Sequence, residues 1–442
     1  MKFPLLSAFA CLGAILMPRP LEAAEYVIAI SVDGLRPDRI EFLGPEVLPN
    51  FARLRREGAW THNARTDYDY TLTTPNHVSM VTGRRVVGPE GHNYTDNEPG
   101  GTGTIHLNKG SYVAGMFDVA HDHGLKTAVF RSKTKLDIFA RSYNATNGAP
   151  DLTGEDNGQN KVDRDFYGGS DFFAASMVDQ FVAEMPTELY NLTLVHLVDP
   201  DPYGHGFNWL TPGYLEAIQR VDHYLGQILG MIDDTPALRG RTTVILTADH
   251  GGTGNVHSDA ADVLNYRILF YVWGADAHDH GDLYQHNIFT RDDPGDNRPP
   301  YGIPLPPIRN GELGNLALQL LGLPPVPGSS INAAQNFSLT RFDFVVADIT
   351  RANGTITLSW PEIAADFRYT VETAPAADGP WTEASGTTWP IAETSWTDAA
   401  PPVDSGYYRV RGTRVIAAAA AVVSQKSPVR HGTKRKIKRR RR

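Results

Sequence analysis

Four times in this chain an apolar run breaks off at charged or imidazole residues, and this repetition constrains the fold most. Tyr26–Val32 (Y-V-I-A-I-S-V) stops at Asp33-Gly34, and Lys126–Phe130 leads into Arg131-Ser132-Lys133-Thr134-Lys135. Leu192–Val198 stops at Asp199-Pro200-Asp201, with His205 close behind, and Thr243–Thr247 runs into Asp249-His250-Gly251-Gly252. Short continuous apolar runs are expected of strands buried on both faces. Arg267–Trp273 reads as a fifth strand. Helical spacing appears in Leu48–Gly58, Val113–His123, Phe172–Met185 and Leu313–Leu323. A longer helix opens at Thr211-Pro212 and keeps its period through Leu215, Ile218, Val221, Leu225, Ile228 and Ile232. Strands alternating with helices predict an α/β domain with a mostly parallel central sheet flanked by helices. In such sheets function gathers beyond the carboxyl ends of the strands.

The chain of 442 residues is long enough for a large core and an added module. Composition changes near Phe342. Ile356–Trp360, Tyr369–Thr373 and Tyr407–Arg411 then read as short alternating strands between Pro, Gly and Asp turns. They predict a small β-sandwich over 342–416 that resembles fibronectin type III modules. The core domain is placed at 25–341, and Tyr143–Gly169 within it, rich in Gly, Asn and Asp, reads as a surface insertion. Met1–Ala24 has the charged start, short apolar stretch and small-residue end of a secretory signal. Cys11, the only cysteine, lies inside it, so the mature chain needs no disulfide. Both features suit a bacterial periplasm or the cell exterior. The segment 417–442 is expected to be a disordered basic tail. Its last nine residues carry eight positive charges against a net charge of -9, which leaves -17 on the rest of the chain. An acidic body argues against a general nucleic-acid surface, while the tail suits contact with an anionic surface.

Tyr70–Gly83, Y-T-L-T-T-P-N-H-V-S-M-V-T-G, places Thr73 and Thr74 at the mouth of a half-buried helix. Free backbone N–H groups there favour an anion such as phosphate, although threonines at such positions are ordinarily caps. The strand-end residues change that balance. Asp33, Asp201 with His205, Asp249 with His250, and His257 converge on one sheet edge. Three carboxylates and three imidazoles are a ligand set for two divalent metals such as zinc. Two such ions can clamp the attacking and leaving oxygens of an in-line displacement.

The motifs S-V-D-G, T-x-P-N-H-x-S-x-x-T-G, D-x-x-x-H and A-D-H-G-G occur in the order of the alkaline phosphatase superfamily. Over roughly 26–332 the chain resembles its type I phosphodiesterase/nucleotide pyrophosphatase branch, with features of phosphonoacetate hydrolases. The resemblance implies Thr73 as the nucleophile and two zinc ions. One would be held by Asp33, Thr73, Asp249 and His250. The other would be held by Asp201, His205 and a third histidine, for which His257 fits the family's order better than His280 or His286. It also implies Asn97 as a phosphate contact. Lys133 and Lys135 match the substrate-binding K-x-K of phosphonoacetate hydrolases and could neutralise a second negative charge. Threonine at 73 and histidine at 77 do not match the sulfatase pattern.

The expected activity is hydrolysis of phosphoric esters, first of all diesters, through a phospho-threonine intermediate. Monoesters and phosphonates are the alternatives for the substrate. A headgroup phosphotransferase and a non-catalytic binding protein are the rivals of other classes.

Overall fold

The computed structural model describes residues 24–101, 103–154, 156–277, 280–339, 344–345, 347–361, 367–376, 379–401 and 406–414. The expected signal segment, but for Ala24, and the basic tail lie outside the described residues. The chain divides into two compact units, Met1–Phe342 and Asp343–Arg442.

The first unit is built on an eight-stranded sheet. Its strands are β1 (Tyr26–Val32), β2 (Ala59–Arg65), β3 (Thr127–Arg131), β4 (Arg164–Tyr167), β5 (Leu192–Leu197), β6 (Thr242–Ala248), β7 (Arg267–Gly274) and β8 (Gly281–Asp282). They lie in the order β4-β3-β5-β1-β6-β7-β2-β8. All neighbours pair in parallel except across β7, which is antiparallel to both β6 and β2. β1, β3, β5 and β6 are buried along their whole length, which is why their sequences are mostly apolar rather than alternating. Ser31 of β1 sits in register with His196 of β5 and Thr247 of β6. The three strands therefore end side by side, and Asp33, Val198 and Asp249 leave the sheet at one edge.

The helix Pro212–Asp234 starts on a proline and buries Ile218, Val221, Leu225, Ile228 and Ile232. Each such side chain contributes about 1.5–3 kcal/mol on burial. Thr211 precedes it but does not cap it, because its hydroxyl donates to the Asn208 carbonyl instead. The helix Thr73–Thr82 is buried at all ten positions rather than on one face, and Thr73 is already its first residue.

The segment Tyr143–Gly169 is more than a surface insertion. Tyr143 and Lys161 are fully buried, and Arg164–Tyr167 is the edge strand β4. Polar composition hid it because its burial is local, and Lys161 is neutralised by Asp122 and Asp151.

The second unit has two antiparallel sheets. One contains Asp348–Ala352, Thr355–Ser359 and Ser395–Asp398. The other contains Thr382–Glu383, Phe367–Ala374, Tyr407–Arg414 and Phe344–Val345. Its buried apolar residues include Leu358, Trp360, Tyr369, Val371 and Val410.

Candidate metal centre

The turn after β1 sets the geometry. Gly34 has a φ of +67°, and a Cβ on it would lie 3.1 Å from the Asp201 Cα. Only glycine suits both demands. Its N–H donates to Asp249 Oδ1 at 3.0 Å, so the ends of β1 and β6 are tied together. The helix Pro200–Phe207 then presents Asp201 and His205, one turn apart, on one face. Trp209 follows, fully buried, and its indole N–H donates to the Gly34 carbonyl at 3.0 Å. A Cβ on either Gly204 or Gly252 would lie inside that indole.

Two ligand sets result. Asp33, Asp249 and His250 form one, and Asp201, His205 and His257 the other. The hydrogen bonds on the far side of each imidazole fix its tautomer, because a carbonyl only accepts. His250 Nδ1 donates to the Gly251 carbonyl at 2.8 Å and His205 Nδ1 to that of Asn255 at 2.9 Å. His257 Nδ1 donates to the carbonyl of Thr71. Each Nε2 is thereby left with a lone pair turned inward. The Nε2 atoms of His205 and His257 face each other at 3.1 Å, and neither has a proton to offer. His250 Nε2 lies 3.4 Å from both Asp33 Oδ1 and Asp249 Oδ2. Asp33 Oδ1, Asp249 Oδ2 and Asp201 Oδ1 are buried without a hydrogen-bond partner. Buried acceptors facing acceptors are costly unless a cation joins them.

The charges agree. Burial works to raise the Asp33 carboxyl, but Lys133, with His196 and His250, holds it well below the carboxylate range. Burial, followed by the like charge of Asp33, pushes Asp249 well above that range. Burial, followed by His257, pushes His250 well down. Lys133 is one positive charge among three buried carboxylates, so the donor set fits divalent cations.

Thr73 stands beside this cluster, 1% exposed, with Oγ1 3.3 Å from His250 Nε2. Thr74 Oγ1 is buried and without a partner, while its N–H donates to Asn97 Oδ1 at 2.9 Å. Asn97 therefore reaches the helix mouth from a separate loop. The two lysines are not a matched pair. Lys133 Nζ donates to Asp33 Oδ2 and Asp201 Oδ2, both at 2.7 Å. Lys135 is half-buried, and burial, with Lys133 next, lowers its pKa.

His257 is the histidine brought to Asp201 and His205. His286 belongs to the helix Leu283–His286, next to β8, and His280 is exposed. A third cluster, His121 with Asp122 and Asp151, already contains the Lys161 ammonium. Sequence reasoning missed Trp209, Thr71 and His196. The signal for His196 was an imidazole inside a strand buried on both faces.

The fold and this site define an alkaline phosphatase-like protein. The family model for type I phosphodiesterase / nucleotide pyrophosphatase matches residues 27–267. The chain belongs to that family. It is 26% identical over 239 residues to ectonucleotide pyrophosphatase/phosphodiesterase family member 1 of Homo sapiens, covering 51% of this chain and 23% of that one. It is 26% identical over 267 residues to family member 3 of Mus musculus, covering 56% and 27% respectively. The chain thus spans about a quarter of the length of these relatives. Among solved structures, murine ectonucleotide pyrophosphatase/phosphodiesterase 5, an inactive form in complex with AMP, is similar with a TM-score of 0.50 and 14% identity. That likeness covers 71% of this chain and 100% of the other.

Proposed function

We propose that this chain is an exported phosphoric-ester hydrolase that holds two zinc ions and uses Thr73 as its nucleophile, with phosphodiesters as its substrate class. The observation that carries the reading is the inward-facing set of imidazole lone pairs and unpartnered carboxylate oxygens around the Thr73 hydroxyl. Asp33, Asp249 and His250, with Thr73, would hold one ion, and Asp201, His205 and His257 the other. When bound, such a pair lowers the pKa of a hydroxyl and stabilises charge on phosphoryl oxygens.

The residues of the chain do the rest. Thr73 Oγ gives its proton to solvent and forms the bond to phosphorus as the ester oxygen leaves on the opposite side and takes a proton from water. Asn97 donates its amide to a non-bridging oxygen. Backbone N–H groups at the mouth of Thr73–Thr82 favour the same charge. Water then cleaves the phospho-threonine, releasing the phosphoryl half and restoring the hydroxyl. Lys135 favours a second reading, in which a monoester or phosphonate brings a second negative charge to the mouth of the site. Export rests on the Met1–Ala24 sequence, and no helix among the described residues is long and apolar enough to cross a membrane. The second unit is read as a fibronectin type III-like appendage, and the basic tail as a contact to anionic surfaces.

The test is turnover of bis-p-nitrophenyl phosphate together with zinc analysis. Thr73→Ala is expected to abolish turnover with metal content retained, and Thr74→Ala to be mild. A dead Thr74→Ala beside an active Thr73→Ala would move the nucleophile by one residue. Protein that holds no zinc and is indifferent to chelators would refute the two-metal reading.

A further inference from the structure

β5 is buried on both faces, yet its fifth residue is an imidazole. His196 is fully buried and lies in register between Arg131 of β3 and Ser31 of β1. Its Nε2 is 3.2 Å from Asp33 Oδ2. A carboxylate only accepts, so Nε2 carries the proton. On the other side of the ring, Ser132 Oγ lies 3.3 Å from Nδ1 and donates to the His196 carbonyl at 2.6 Å. That hydroxyl also accepts the Val198 N–H at 3.0 Å, which holds it in place. His77 closes a third side edge-on, with ring centroids 5.0 Å apart. The imidazole is packed on these sides with Nε2 toward Asp33.

The carboxylate divides its two oxygens accordingly. Asp33 Oδ2 accepts from His196 and from Lys133, whereas Oδ1 has no partner and faces His250. Asp201 repeats the division. Its Oδ2 accepts from Lys133, and its unpartnered Oδ1 lies 3.3 Å from His205 Nε2. Lys133 therefore spans both ligand sets, while His196 serves the Asp33 set alone.

We propose that His196 is a positioning residue of the metal centre: with Lys133 it fixes Asp33 by Oδ2 and keeps Oδ1 turned toward His250. The inference rests on the two-metal reading above. Outer-layer partners of metal ligands fix ligand orientation, and losing one costs about ten- to hundredfold in metal affinity. A histidine that only filled space would be exchangeable for an apolar side chain of similar size without touching the metal.

The test measures zinc content after dialysis and the rate of zinc loss to a chelator, on full-length protein loaded with zinc. His196→Gln keeps a donor and His196→Leu does not. Each is made alone and combined with His257→Ala, which weakens the other ligand set. Wild-type protein is expected to hold two equivalents. His196→Leu is expected to hold one ion normally and the other about ten- to hundredfold more weakly. His196→Gln should resemble wild type, and His196→Leu/His257→Ala should hold neither ion firmly. Unchanged metal retention in His196→Leu, equal weakening by Gln and Leu, or one firm ion left in the Leu/Ala double variant overturns the inference. If His196→Leu does not fold, His196→Phe, which keeps a ring but no donor, takes its place. It is expected to weaken the same single ion, and unchanged retention there overturns the inference equally. Wild-type protein that binds no zinc would instead fail the two-metal reading itself.

Discussion

In the proposed mechanism Asn97 does two jobs at once, and two substitutions separate them. Its Oδ1 accepts the Thr74 N–H at 2.9 Å at the mouth of the helix that carries Thr73. That contact uses the amide oxygen, and the NH2 group is the proposed donor to a phosphoryl oxygen. Asn97→Asp keeps an acceptor for Thr74 but replaces the NH2 group with a negative oxygen. Asn97→Ala removes both. Losing a donor aimed at developing negative charge typically costs about 2.7–4 kcal/mol, or roughly 10²–10³ in rate. Losing the Thr74 contact costs about 0.5–1.5 kcal/mol of stability, a shift of a few degrees in Tm. With bis-p-nitrophenyl phosphate as substrate, Asn97→Asp should lose at least the full rate factor while melting like wild type. Asn97→Ala should lose a similar factor and also melt lower. If Asn97→Asp kept kcat/KM within about threefold of wild type, the donor role would be refuted, since such a loss is under 1 kcal/mol.

Other outcomes follow from single contacts. Lys135→Ala should slow turnover of p-nitrophenyl phosphate or phosphonoacetate by about ten- to hundredfold, the size of a charge-assisted contact, and leave the diester nearly unchanged. Equal losses on both would remove Lys135 from substrate recognition. Asp118, in the first turn of the helix Met116–Asp122, accepts from the Gly115 N–H and the Tyr112 hydroxyl, and burial raises its pKa from 3.8 to about 6. Between those values the folded state binds more protons than the unfolded one, so this group's contribution to stability falls as pH rises. The span is worth up to about 3 kcal/mol. Urea unfolding from pH 4 to 7 should show Asp118→Asn gaining on wild type as pH rises, and parallel curves would contradict this. A chain cut after Phe342, where the two compact units divide, should stay soluble and active. An inactive or insoluble product would mean that the second unit completes the first.

The sheet was readable in sequence where strands are buried on both faces, as in Tyr26–Val32 and Leu192–Leu197, because apolar residues dominate there. It was unreadable at β2, A-W-T-H-N-A-R, whose polar side chains find partners such as Glu41 and Tyr271 for His62. β4 escaped for a similar reason, since its four residues are only partly buried at the sheet edge. The metal-ligating candidates stood out because Asp and His after apolar runs are chemically conspicuous. The separation of Lys133 from Lys135 could not be read that way. Both lie in one short loop, and only the approach of Asp33 and Asp201, distant in sequence, sets them apart. His196 was visible as an oddity, but which carboxylate it meets depends on strand order. Spacing alone left open a capping threonine or a nucleophile, and the likeness to family sequence patterns is what favours Thr73 as the proposed nucleophile.

The indole of Trp209 touches the turn after β1, the glycine between Asp201 and His205, and the glycine beyond His250. None of these contacts performs chemistry, yet each limits how the chain can drift in sequence. A methyl group added at 204 or 252 has nowhere to go unless residue 209 shrinks. A smaller residue at 209 in turn leaves the Gly34 carbonyl with the Tyr214 hydroxyl as its remaining side-chain donor and the candidate metal-binding edge with a void. Tolerated change at these positions must therefore come in concert, which is improbable one substitution at a time. Change is easier in exposed stretches outside that joint, such as residues 98–100 and 152–154. Those stretches can vary while the indole holds the turn after β1, the helix Pro200–Phe207 and the segment after His250 in one arrangement.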